Sequence, residues 1–106
     1  MSARPDTHLD PEIRDALQDV LDPEIGLSVI DLGLVYRAAR GADGIAVDLT
    51  LTTRACPLGE LIAEQARACL ESRFGDGGRI DVRLVWDPLW SPDFITDKGR
   101  AQLGRV

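Results

Sequence analysis

Two alternating segments flank one long helical pattern in the middle of this chain, and that arrangement narrows the folds open to it. From Ile45 to Thr52, Ile45, Val47, Leu49 and Leu51 fall on one face, with Ala46, Asp48, Thr50 and Thr52 on the other. That is the period of two expected of a half-buried strand. From Ile80 to Trp86 the same period returns, with Ile80, Val82, Leu84 and Trp86 alternating against Asp81, Arg83 and Val85. Between them, Pro57 to Phe74 reads as the longest helix. Leu58, Leu61, Ile62, Gln65, Cys69 and Leu70 mark its inner face, Ala66 and Ala68 allow close approach, and Gly75-Asp76-Gly77-Gly78 ends it. A strand, a helix and a strand in that order can form a parallel pair joined by a right-handed crossover.

The flanking segments complete the plan. Leu34 to Arg40 reads as a first strand, and Gly41-Ala42-Asp43-Gly44 supplies the glycines of a short hairpin into the second. Asp10-Pro11-Glu12 is a helix start, an N-cap acid followed by proline and a second acid. Ile13, Ala16, Leu17, Val20 and Leu21 follow as one buried stripe, and Pro23 is expected to stop the helix. Ser91-Pro92-Asp93 repeats the start signature before a last short helix carrying Phe94, Ile95, Ala101 and Leu103. The expected fold is α+β: one small domain, ordered helix-strand-strand-helix-strand-helix, with a three-stranded mixed sheet and helices on one face. Residues 1–8 are expected to form a flexible N-terminal arm that carries the single histidine, His8, and residues 9–106 the domain. The uncovered face, bearing Asp48, Thr50 and Arg83, meets either water or a second copy, so a homodimer is an expectation too.

Composition removes some functions. A chain of 106 residues with 44% hydrophobic and 28% charged residues suits one soluble domain. No apolar run approaches the ~20 residues that span a bilayer, so no membrane role is expected and a cytoplasmic location is the default. A net charge of −6 argues against nucleic acid as a partner.

Cys56 carries the most chemistry. It lies in Thr52-Thr53-Arg54-Ala55-Cys56-Pro57-Leu58-Gly59, at a strand-to-helix junction just before the first helical turn. Free N–H groups and the positive end of a helix dipole favour thiolate there, the form that attacks electrophiles and binds metals. Cys69, in the helix stripe, reads as a core residue. A disulfide between the two is excluded, because the intervening helix holds them roughly 20 Å apart. Three further segments combine Pro or Gly with special residues: Asp22-Pro23-Glu24-Ile25-Gly26, Asp31-Leu32-Gly33, and Trp86-Asp87-Pro88-Leu89-Trp90-Ser91-Pro92.

The stretches DPEIGLSVIDLGLVY, LTTRACPLG and VWDPLWSPDFITDKGRAQLG together resemble the SufT-like family of iron–sulfur cluster assembly factors. Its relatives include the PaaD subunit of phenylacetyl-CoA oxygenation systems, the small cytosolic iron–sulfur targeting proteins and a domain fused to Mrp-type ATPases. The resemblance spans residues 10–104. It implies an accessory factor in iron–sulfur cluster assembly or protein maturation, partnered by assembly machinery and client proteins. It also implies a site built on Cys56, lined by Asp22, Glu24, Thr52 and Thr53, with Trp86 and Trp90 covering it as packing. Asp31 fits a turn or capping role. PaaD-type relatives commonly carry an added cysteine-rich C-terminal region, whereas this sequence stops at Val106, which favours the stand-alone factor.

Ligand counting limits the mechanism. An iron–sulfur cluster usually takes four thiolates, or two with two imidazoles. One accessible cysteine cannot hold it unaided, so no tightly bound cofactor is expected. Iron or a cluster would be held at Cys56 in passing, or shared between chains. Two rival readings remain: an auxiliary subunit of a PaaD-type oxygenase, and a thiol-dependent transfer enzyme with Cys56 as nucleophile and Glu24 as base. The second lacks a histidine near the thiol.

Overall fold

The computed structural model describes residues 9–23, 25–52, 59–75, 78–87 and 89–104. Its elements are α1 (Pro11–Leu17), β1 (Val35–Gly41), β2 (Gly44–Leu49), α2 (Gly59–Phe74), β3 (Arg79–Leu84) and α3 (Asp97–Leu103), with one 3-10 turn at Pro92–Phe94. β2 is the central strand. It pairs antiparallel with β1 through the Ala42-Asp43 turn and parallel with β3 through the α2 crossover. The expected order and the mixed sheet are both present.

α1 begins where the sequence says it should. The Asp10 carboxylate accepts the N–H groups of Glu12 and Ile13 at 2.9 and 3.2 Å, and Pro11 takes the first helical position. Burial works to raise the Asp10 carboxyl, but those two N–H groups and the Arg40 guanidinium outweigh it and hold the carboxyl below its usual value. A value lowered by folding stabilises the protein above the ordinary carboxylate range, and that contribution is lost as pH falls through the folded value. Asp10→Ala should therefore lower stability by about 1 kcal/mol at neutral pH. In thermal melts, the gap from wild type should narrow on acidification.

The helix stops at Leu17, well before Pro23, and Leu21 is exposed. Pro23 is thus not the terminator. The chain leaves α1 to build a tight hairpin: Val29 donates to Val20 at 2.9 Å, Asp22 to Leu27 at 2.9 Å, and Leu21 bridges Ser28. From there, residues 27–36 are buried without a break, although 27–34 form no regular element. A buried irregular segment must satisfy its own backbone groups. Here Leu32 donates to Ser28, Gly33 to Ile30 and Leu34 to Val29, and the Ser28 hydroxyl accepts from Ile30.

The core lies between the sheet and the α1–α2 layer. Ile13, Ala16 and Leu17 meet Ile45, Val47 and Leu49 from β2, and Ile62, Ala66 and Leu70 from α2. The inner stripe of α2 is therefore Gly59, Ile62, Ala66 and Leu70. Leu61 and Gln65, read from the sequence as inward, face solvent. The two stripes share the spacing of three and four, and the observed one starts where Gly59 packs closely on Leu51 and Leu84; a Cβ there would meet Leu51 Cδ1 at 2.5 Å, so the leucine tip would have to shift. Cys69 is half-buried and its thiol donates to the Ala16 carbonyl at 3.1 Å. Burial, then the Asp19 charge, pushes that thiol up, with Arg73 opposing.

Two other expectations are corrected. β2 ends at Leu49, so Thr50 does not lie on the open sheet face; its N–H turns to the Leu34 carbonyl at 2.7 Å and the residue is fully buried. Ser91 caps only the 3-10 turn. α3 has its own cap, Thr96, whose hydroxyl accepts from Gly99 at 3.0 Å, so Phe94 and Ile95 precede the last helix while Ala101 and Leu103 lie on it, exposed. On the open face, the Arg83 guanidinium holds the Asp48 carboxylate at 2.9 and 3.3 Å.

Candidate functional site

The parallel pairing of β2 with β3 decides where the special segments go. Both strands finish at the same end of the sheet, and Val85 continues the ladder by donating to Leu49 at 2.8 Å. β2 leads into the stretch that contains Cys56, and β3 leads into Trp86 and Trp90. β1 runs the other way, with Val35 opposite Leu49, so the Asp31-Leu32-Gly33 segment enters from this same end. The acidic hairpin is tied in by three successive backbone hydrogen bonds: Val29 to Val20, Leu34 to Val29, and Thr50 to Leu34. In sheets with parallel strands, sites collect beyond the carboxyl ends. The Asp31-Leu32-Gly33 segment, the base of the acidic hairpin, and Trp86 after β3 are described at this end, and Thr52, the last described residue after β2, lies there too.

The described part of the cysteine segment is its two flanks. Thr52 is half-buried, and Gly59 opens α2 directly against Leu51. Gly59 begins a sixteen-residue helix, whose first turn is the positive end of its dipole. Cys56 and Thr53 lie outside the described residues, as does Glu24.

Asp22 is buried, and its carboxylate accepts the Ile25 N–H at 3.1 Å, while its own carbonyl accepts from Gly26 at 2.7 Å. Gly26 has φ +81°, which closes the turn. The carboxylate thus shapes the turn that Gly26 closes. Trp86 and Trp90 are half-buried against the core, and the Trp90 indole N–H donates to the Leu32 carbonyl at 2.7 Å. That bond uses the one donor an indole has, and fits a covering role.

Asp31 is the residue that sequence reading undervalued. It is buried, and it accepts from Gln18 Nε2 at 2.7 Å and from the Thr96 hydroxyl at 3.1 Å, with Lys98 Nζ at 3.8 Å. Its carbonyl takes the Thr96 N–H at 2.8 Å. One carboxylate therefore ties the end of α1 to the start of α3 beneath the tryptophan segment. Above it, Phe94 packs edge-on to Tyr36, with ring centroids 5.9 Å apart. Burial pushes the Tyr36 phenol up, and the Thr50 hydroxyl works against the shift. Among the described residues, no group of three His, Cys, Asp or Glu side chains is arranged to hold a metal ion.

Comparison with known proteins gives consistent results. A model of the family described as iron–sulfur cluster assembly protein matches residues 10–82. An Fe-S protein maturation auxiliary factor of Porphyromonas gingivalis is 39% identical over 89 residues, which cover 83% of this chain and 84% of that one. The Fe-S protein maturation auxiliary factor SufT of Staphylococcus aureus is 35% identical, over 80% of this chain and 97% of that one. The crystal structure of a domain of unknown function from Bacillus anthracis superposes with a TM-score of 0.86 at 27% identity, covering 91% of this chain and 92% of that one.

Proposed function

This chain belongs to the iron–sulfur cluster assembly protein family, and from that premise we propose that it is an auxiliary factor in the maturation of iron–sulfur proteins, working at Cys56. The supporting observation is that β2 and β3 end side by side, with the Asp31 segment and the base of the acidic hairpin hydrogen-bonded in at that end, and that the stretch following β2 in the sequence contains the cysteine.

In this reading, iron, sulfur or a cluster is cargo. The Cys56 thiolate takes it up, favoured by its place in sequence three residues before the positive end of α2. The Thr52 and Thr53 hydroxyls donate to the sulfur and lower its basicity, as supporting groups around a metal site do. Glu24 supplies a hard oxygen ligand or a proton acceptor from a hairpin that Asp22 holds in shape. Trp86 and Trp90 shield the site. A single thiolate leaves the remaining coordination positions to other molecules, so the cargo is held weakly and passed between assembly machinery and client proteins. No described helix is long and apolar enough to cross a membrane.

The test is complementation. In cells lacking the gene and short of iron, the wild-type chain should restore the activity of iron–sulfur-dependent enzymes, and Cys56→Ala should not. Restoration by the alanine variant would remove Cys56 from the mechanism.

A further inference from the structure

The two edges of the sheet are treated differently. β1 is covered at its outer side, where Leu9 bridges Ala38 and Asp10 donates to the Ala38 carbonyl at 2.8 Å. Among the described residues, no strand lies on the outer side of β3. Arg79 donates to Asp43, and Val85 donates to Leu49, so odd positions of this segment point their backbone groups toward β2. Because backbone groups alternate along a strand, Ile80, Val82 and Leu84 point theirs outward. Among the described residues, the Arg67 guanidinium reaches the Ile80 carbonyl at 3.5 Å, the far limit of a hydrogen bond. β3 has no proline, and its register with β2 is unbroken from Arg79 to Leu84. Such an edge is a template for another strand.

We propose that this edge pairs with the same edge of a second copy of the chain, antiparallel, about a two-fold axis through Val82. The register follows from charge. With Val82 opposite Val82 of the second copy, Ile80 faces Leu84, all the outward backbone groups of the three residues find partners, and Asp81 stands opposite Arg83 twice. A shift of two residues one way sets Asp81 against Asp81 and Arg79 against Arg83. The opposite shift sets Arg83 against Arg83. Like charges directly across a strand pair are destabilising, so one register is selected.

The helix above the edge agrees independently. α2 runs past β3 so that Gly59 lies beside Leu84, where a Cβ would sit 3.6 Å from its Cδ1, and Arg67 lies beside Ile80. The axis that places Leu84 opposite Ile80 therefore brings Glu60 of one copy toward Arg67 of the other, twice. Between α2 and β3 runs an open groove of about 400 Å³ that includes the half-buried Val82 and Leu84, the apolar surface the second copy would cover. A six-stranded sheet results.

Val82 is level with Val47, three residues before Thr50. The axis thus separates the two Thr50 positions by roughly 20 Å along the strand direction.

Sedimentation of the purified chain from micromolar to millimolar concentration tests the proposal. Wild type should form a dimer. Arg67→Glu should weaken it about tenfold, since two ion pairs become repulsions. The double variant Glu60→Arg/Arg67→Glu should restore it, because the pairs are remade with their signs exchanged. Val82→Pro should abolish it while leaving the β2 ladder intact, as the lost N–H is an outward one. The charged positions are exposed, so circular-dichroism melts should match wild type and separate loss of pairing from loss of fold. A wild type that stays monomeric at millimolar concentration, a double variant as weak as Arg67→Glu, or undiminished pairing by Val82→Pro would each overturn the proposal. So would a monomer whose edge is filled by an extended peptide from another protein.

Discussion

Replacing Gly33 with alanine should cost about 3 kcal/mol and lower the melting temperature by roughly 15 °C. Gly33 has φ +74°, a conformation that side chains resist. The larger cause is contact. A Cβ there would lie 2.3 Å from the Phe94 carbonyl oxygen and 2.6 Å from the Phe94 Cβ. Backbone cannot move aside as a flexible side-chain tip would. Phe94 is held by its packing on Tyr36 and by its N–H bond to Ser91 at 2.9 Å. The strain must therefore lift the whole Pro92–Phe94 turn and loosen the adjoining Trp90–Leu32 bond. Calorimetry should show the lower transition, and tryptophan emission should shift to the red below it. Gly26→Ala is the internal control: φ is +81°, but a Cβ meets nothing within 4 Å, so only the conformational penalty of about 1 kcal/mol applies. Equal melts for the two variants would mean that the turn does not rest on Gly33.

The fold was legible where periodicity was strong. The alternation of Ile45, Val47 and Leu49, and of Ile80, Val82 and Leu84, marks two strands with one buried face each. The helical pattern between them makes a crossover, and so a parallel pair. The Asp10-Pro11 start was legible because an N-cap is a local interaction. Leu27 to Leu34 was not, since a buried segment held by its own turn bonds has no period to read. Asp31 reads as a turn or capping residue, but its long-range partners were not legible for a related reason. Its partners Gln18 and Thr96 are 13 and 65 residues away, and no local pattern links them.

The candidate site divides in the same way. Its segments stood out as clusters of acids, threonines, tryptophans and glycines, and strand direction brings the Asp31 segment and the Trp86 segment to the end where β2 finishes. What each acid does was not legible. Asp22 looks like a ligand in sequence, yet its carboxylate accepts a hydrogen bond from its own turn, at Ile25. A turn-capping carboxylate and a metal-binding one are the same residue type in the same kind of loop.

The central claim is that Cys56 is where this protein handles iron and sulfur. Anaerobic equilibrium dialysis of the purified chain against ferrous iron, sulfide and a free thiol tests it most directly through bound iron per chain and visible absorbance, without a step that strips weakly held cargo. Wild type should retain iron with a sulfur-to-iron charge-transfer band, and Cys56→Ala should retain less by about tenfold or more, because a thiolate ligand is lost outright. Equal retention by the two proteins, or none by either, would contradict the account.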